Sequence, residues 1–124
     1  MITGIGIDVV QVKRMEKWRK TRGLLERYFH DEELSTAISR GNAADMALAA
    51  RFAAKEAFGK ALGTGFSRMA LKDIMVINTS NGRPEIRVFE TAKKALEESG
   101  ANKVHISLTH ESDNAIAVVI LERV

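Results

Sequence analysis

The chain has 124 residues, 45% of them hydrophobic, a formal net charge of +3 and no cysteine. That length gives one domain, spanning residues 1–124, with a core of its own but no room for a second. Without cysteine there is neither a disulfide framework nor a zinc–thiolate centre, which suits a cytoplasmic setting.

The first element is the apolar run from Ile2 to Val10. It is too short for a membrane span, is interrupted by Asp8 and follows no basic region, so it reads as neither an anchor nor a signal peptide. Ile5, Ile7 and Val9 alternate with Gly4, Gly6 and Asp8, the period of a strand. Asp8 therefore shares a face with two residues that have no side chains, and that face is expected to leave room for a ligand.

A basic segment follows. From Lys13 to Arg27, seven basic residues stand against two acids, a local +5 that leaves the rest of the chain at −2. Val12, Met15 and Trp18 predict a short amphipathic helix, broken around Gly23. Leu24, Leu25, Tyr28 and Phe29 restart it before a helix that begins at Asp31 and runs to about Arg40. Such a lopsided surface either steers an anionic partner toward the molecule or is a solvated helix face.

The longest helix is predicted from Ala44 or Asp45 to Gly63. Met46, Ala49, Ala50, Ala53, Ala57 and Ala61 form a small-residue stripe for close packing, and Gly63-Thr64-Gly65 supplies the stop. On another face, Phe52, Glu56 and Lys60 follow one another at single-turn intervals, a large aromatic beside opposite charges. Leu71 to Asn78 and Pro84 to Val88 predict a hairpin through Asn81-Gly82, with Pro84 held to an edge or to the first residue of its strand. Phe89, Ala92, Lys93 and Leu96 mark a helix that Gly100 ends.

The last two elements are strands. Val104, Ile106 and Leu108 alternate with His105, Ser107 and Thr109, so three polar side chains share one face. Ala115 to Leu121 is continuously apolar, as a central strand covered on both sides is. Hairpin-joined strands with helices between them predict an α+β fold with a mostly antiparallel sheet around one long helix.

Asp8 and Glu56 are the candidates for metal chemistry. With no thiolate and no histidine pair at zinc spacing, two carboxylates suit a hard cation such as Mg²⁺, which takes one or two of them and fills its shell with water and phosphate oxygens. From spacing alone, an ion pair of about 0.3–0.5 kcal/mol between Glu56 and Lys60, with Asp8 as a strand-end cap, is the more economical account. The glycines of Gly4-Ile5-Gly6 lack the third glycine of a dinucleotide fingerprint, and no phosphate-loop motif occurs. Met69, Met75 and the alanine stripe read as core.

Four motifs, in order, resemble the bacterial holo-acyl-carrier-protein synthases of the 4'-phosphopantetheinyl transferase superfamily, nearly end to end. They are Gly4-Ile5-Gly6-Ile7-Asp8; Arg51-Phe52-Ala53-Ala54-Lys55-Glu56-Ala57-Phe58-Gly59-Lys60-Ala61 with Gly63-Thr64-Gly65 after it; Asn81-Gly82-Arg83-Pro84; and Val104-His105-Ile106-Ser107-Leu108-Thr109-His110. Phe52 stands where many relatives carry tryptophan, and Thr109 where many carry serine. Neither change removes a metal ligand.

The resemblance implies transfer of phosphopantetheine from coenzyme A to a serine of acyl carrier protein, in support of fatty acid biosynthesis. It implies Asp8 and Glu56 as Mg²⁺ ligands, Glu56 as the base for the serine and Lys60 as a phosphate partner. It further implies that Gly63, Asn81, Gly82, Arg83, Pro84, His105, Ser107 and Thr109 contact coenzyme A. Arg14, Lys17, Arg22 and Arg27, with Trp18 as an apolar contact, would receive the acidic carrier. A homotrimer with sites between subunits is implied as well, with no part for nucleic acid or membrane. Two rivals stand beside this reading: a nucleic-acid-binding module built on segment 13–27, which the scarcity of aromatics for base stacking disfavours, and a trimer without catalysis, which the intact Asp8 and Glu56 disfavour.

Overall fold

The computed structural model describes residues 1–124. In chain order the elements are β1 (Ile2–Gln11), α1 (Val12–Arg19), α2 (Leu24–Tyr28), α3 (Asp31–Ile38), a 3-10 turn (Gly41–Ala43) and α4 (Ala44–Leu62). A second 3-10 turn (Leu71–Asp73) leads into β2 (Ile74–Asn78), β3 (Pro84–Val88), α5 (Glu90–Glu98), β4 (Lys103–Glu111) and β5 (Asn114–Glu122). β1, β5 and β4 form a three-stranded sheet in that order, and β2 and β3 form a separate hairpin. Every strand pair is antiparallel, so the α+β expectation holds.

α4 is the element around which the others pack. Ala49, Ala53, Ala57 and Ala61 are buried, as the stripe predicts, and their small side chains let the helix lie close against β1 and β5. Gly63 ends it in the left-handed conformation at φ 81°, with its N–H donating to the Lys60 carbonyl. The approach to β1 is closest at two glycines. A Cβ on Gly6 would stand 1.9 Å from the Ala57 carbonyl oxygen, and one on Gly4 would stand 1.9 Å from that of Ala61.

This corrects the expectation that the glycine face of β1 leaves room for a ligand. The space belongs to the backbone of α4, and the glycines are there so that the helix can enter it. Register then fixes the other face. Ile5, Ile7 and Val9 pair with Ile120, Val118 and Ile116 of β5, which pair in turn with His105, Ser107 and Thr109 of β4. Ile5, Ile7 and Val9 are 63%, 56% and 55% exposed, an apolar sheet face with nothing covering it in the single chain. β5 is central in the sheet but packs on α4 through one face only, so its alternate residues are just half-buried.

Other boundaries move slightly. Leu71 to Asp73 form a 3-10 turn rather than the start of β2. The third helix begins at Asp31 as expected but stops at Ile38, two residues short of Arg40, and His30 caps its start: the His30 ring accepts from the Glu32 N–H, while Glu33 accepts from the His30 N–H at 3.2 Å.

Inside the core lies an ion pair that sequence reading did not anticipate. Lys55 is fully buried, its Nζ 2.6 Å from Glu33 Oε1, and it also donates to the carbonyls of Leu71 and Ile74. Glu33 Oε2 accepts from the Val76 N–H at 2.8 Å, so the pair joins α3, α4 and β2. Burial pushes the proton affinity of Lys55 down, and the Glu33 carboxylate opposes that shift.

Candidate active site

β1 and α4 bring the two sequence-distant carboxylates together. Asp8 lies on the inner face of β1, where register sets it opposite Ala117 and beside α4. Lys60 reaches across the gap, its Nζ 2.7 Å from Asp8 Oδ1 and 3.1 Å from the Ile7 carbonyl oxygen. The ion pair is thus with Asp8, 52 residues away in sequence, and not with Glu56 on the same helix. Glu56 sits one turn before Lys60, with a side chain 20% exposed.

The electrostatics identify a carboxylate pair. Burial raises the proton affinity of Glu56, and the Asp8 carboxylate beside it raises it further; Arg14 and Lys60 act in the opposite sense. Arg14 approaches from α1, with Nη1 3.8 Å from Glu56 Oε1. Its guanidinium lies over two rings, 4.9 Å from the Trp18 centroid and 5.0 Å from that of Phe52. Trp18 and Phe52 meet edge to face at 4.8 Å, and Tyr28 closes the cluster. Trp18 is therefore half-buried packing for Arg14 and α1 as well as an outward-facing residue.

The donor set fits a hard divalent cation. Both ligands are carboxylate oxygens, and two negative charges already share one site with two cationic side chains, Lys60 and Arg14, drawn to it. Asp8 and Glu56 are the side chains here that could hold such a cation, which usually takes one or two carboxylates and fills its shell with water and phosphate oxygens.

The remaining predicted residues fall in other places. Lys17, Arg22 and Arg27 are exposed along the basic segment with Arg14. His105, Ser107 and Thr109 are exposed on the outer sheet face, away from Asp8 of the same chain, and His105 Nε2 lies 2.9 Å from Glu122 Oε1. That hydrogen bond lowers the proton affinity of Glu122.

The Asn81–Pro84 turn is tied to the N-terminal half of α4. Asn78 Nδ2 donates to the Gly82 carbonyl at 3.1 Å, while Asn78 Oδ1 accepts from Arg51 at 3.4 Å and from Arg40 at 3.5 Å. Arg51 is buried and its Nε has no partner. Arg51 opens the second motif but, like Arg40, was given no role in the sequence; the two bring positive charge beside the turn.

Residues 4–119 match the family model described as the 4'-phosphopantetheinyl transferase superfamily. The chain belongs to this superfamily. A protein named holo-[acyl-carrier-protein] synthase from Treponema denticola is 55% identical over 122 residues, covering 98% of this chain and 99% of that one. A solved structure of the Neisseria meningitidis holo-[acyl-carrier-protein] synthase superposes with a TM-score of 0.89 at 37% identity, covering 99% of this chain and all of the other. The Bacillus anthracis synthase, solved in complex with CoA (3',5'-ADP), gives a TM-score of 0.83 at 34% identity over the whole of this chain and 99% of its own. No helix of this phosphopantetheinyl transferase is long and apolar enough to cross a membrane.

Proposed function

We propose that this chain transfers the 4'-phosphopantetheine arm of coenzyme A to a serine hydroxyl of apo acyl carrier protein and releases adenosine 3',5'-bisphosphate. The observation that carries the reading is the Asp8–Glu56–Lys60 group at the β1–α4 seam, in a chain whose relatives of the same length are named for that reaction.

Asp8 and Glu56 would hold Mg²⁺ against the coenzyme A diphosphate. The chemistry that a bound Mg²⁺ supplies there is neutralisation of charge on the phosphoryl oxygens. Everything else is done by side chains. Lys60, more than half exposed, can leave Asp8 for a phosphate oxygen without losing its charge. Glu56 takes the proton of the carrier serine, which Arg14 on α1 would bring beside it. The serine oxygen forms a bond to the pantetheine-bearing phosphorus as the bond from that phosphorus to the bridging diphosphate oxygen breaks. The electron pair leaves with the bisphosphate nucleotide.

Arg14, Lys17, Arg22 and Arg27 are the docking surface for the acidic carrier, with the +5 segment as its electrostatic guide. Arg14 sits next to Glu56, so a carrier docked there delivers its serine beside the base.

The bare face of Ile5, Ile7 and Val9 supports a homotrimer in which copies of this chain cover one another's sheets. His105, Ser107 and Thr109, at the rim of that face, then contact coenzyme A in the site of a neighbouring copy. Gly63 adds a nucleotide contact beside the pair, and we assign Asn81, Gly82, Arg83 and Pro84, with Arg40 and Arg51 held next to that turn, to the neighbouring copy's side of the same site.

Incubation with coenzyme A, Mg²⁺ and apo carrier should release adenosine 3',5'-bisphosphate, measured by chromatography, in equal amount to the carrier modified. A carrier with its serine replaced by alanine should release none. Release that ignores that replacement would mean hydrolysis rather than transfer.

A further inference from the structure

Beyond Lys60, the chain turns back on its own helix. Gly63 and Gly65 take left-handed conformations, at φ 81° and 62°, and the Gly65 N–H donates to the Gly59 carbonyl at 3.2 Å. This lays the Phe66 ring on the backbone of α4 at Gly59. A Cβ there would lie 2.6 Å from Phe66 Cε1 and 3.0 Å from Cδ1, so a glycine is what lets the ring lie flush. Phe66 remains 39% exposed, a large aromatic with one face open.

Helix geometry sets that open face beside the chemistry. At about 100° per residue, Gly59 is about 60° around α4 from Glu56, one turn along, on the side away from β1. Going around the helix, the order is β1 with Asp8, then Lys60, then Glu56, then the Phe66 ring. Phosphoryl transfer places the attacking and leaving oxygens in line on opposite sides of phosphorus. The carrier serine arrives from the α1 end, where Arg14 is, so the nucleotide departs at the opposite end. The pantetheine ester oxygen must therefore project sideways. One side is closed by β1; the other is Phe66. In coenzyme A the first groups past that ester oxygen are a methylene and a quaternary carbon bearing two methyl groups, the most apolar part of the arm.

We propose that Phe66 is a specificity-determining contact for coenzyme A, its open ring face receiving the paired methyl groups next to the transferred phosphate. This rests on the transferase reading above, and it gives a reason for the glycine at 59 that helix formation alone does not. Gly59 acts through the ring and is a positioning residue.

Calorimetric titration in Mg²⁺ with two ligands tests it: coenzyme A, which carries the arm, and adenosine 3',5'-bisphosphate, which lacks it. Phe66→Ala should weaken coenzyme A about tenfold, the discrimination an apolar contact of this size provides, and leave the bisphosphate unchanged. Phe66→Leu should keep most of the affinity. Gly59→Ala, which displaces the ring, should reproduce the Phe66→Ala pattern. Equal loss for both ligands, unchanged coenzyme A affinity, or a rise confined to the carrier KM would each overturn the assignment. A wild-type protein that binds coenzyme A and transfers its arm, paired with an unaffected Phe66→Ala, refutes this contact alone. A wild-type protein that does neither refutes the transferase reading beneath it.

Discussion

Gly6→Ala changes one methyl group and should cost both stability and activity. The new Cβ would lie 1.9 Å from the Ala57 carbonyl oxygen and 2.8 Å from the Ala61 nitrogen, both backbone atoms of α4 that no rotamer change can move. Carbon contacts settle near 3.5–4.0 Å, so the helix must retreat from β1 by more than about 1 Å. Overpacking of this kind costs about 1–3 kcal/mol and more where the backbone is trapped; with the helix pinned on β1 and β5 we expect about 3. The same retreat carries Lys60 and Glu56 away from Asp8, and a misplacement of about 1 Å can cost about 10²-fold in rate. Urea denaturation measures the first effect, and transfer assayed well below the melting transition measures the second. A Gly6→Ala protein with wild-type stability and full activity would refute the reasoning, because the close helix approach would then position nothing.

Glu33→Ala strands the Lys55 ammonium, which is 0% exposed, without its carboxylate, and should cost about 3–5 kcal/mol in denaturant unfolding; a loss under 1 kcal/mol would mean the pair is not what holds α3 to α4. Glu56→Gln should abolish transfer yet raise the melting temperature at pH 7–8. The folded chain raises the proton affinity of Glu56, so its stabilising, protonated form is fully present only below the ordinary carboxylate range of about 4.3 and is lost as pH rises through the raised value. The advantage of the glutamine variant should therefore shrink on acidification and vanish in acid. An advantage that grows instead would contradict the sign. Ile7→Asp, on the bare sheet face at 56% exposure, should sediment as a folded monomer and the parent as the proposed trimer; equal sedimentation coefficients for the two would place any subunit contact elsewhere.

What was legible in the sequence followed period and punctuation. The alanine stripe and Gly63 gave α4 its limits, and the Asn81-Gly82 turn gave the β2–β3 hairpin. Strand alternation correctly grouped His105, Ser107 and Thr109, and separately Gly4, Gly6 and Asp8. What alternation could not say is which group faces the helix. A face of glycines looks empty until a backbone is packed against it, so room for a ligand and room for a helix read alike. Partner choice failed for a related reason: Lys60 is one helical turn from Glu56, but strand β1 presents Asp8 at 2.7 Å, and only tertiary packing reveals it. Lys55 and Glu33 gave no signal at all, because a buried ion pair leaves no period in the sequence. Arg40 and Arg51 became legible only when Asn78 was seen between them.

The proposed transfer requires Asp8 and Glu56 to work as one cation-holding pair. The intact mass of apo acyl carrier protein reads this out after incubation with coenzyme A and Mg²⁺, alongside parallel samples with chelator, with Asp8→Asn and with Glu56→Gln. A gain of one phosphopantetheine is expected with the parent protein and Mg²⁺, and no measurable gain in the other three. An equal gain in all four would contradict it.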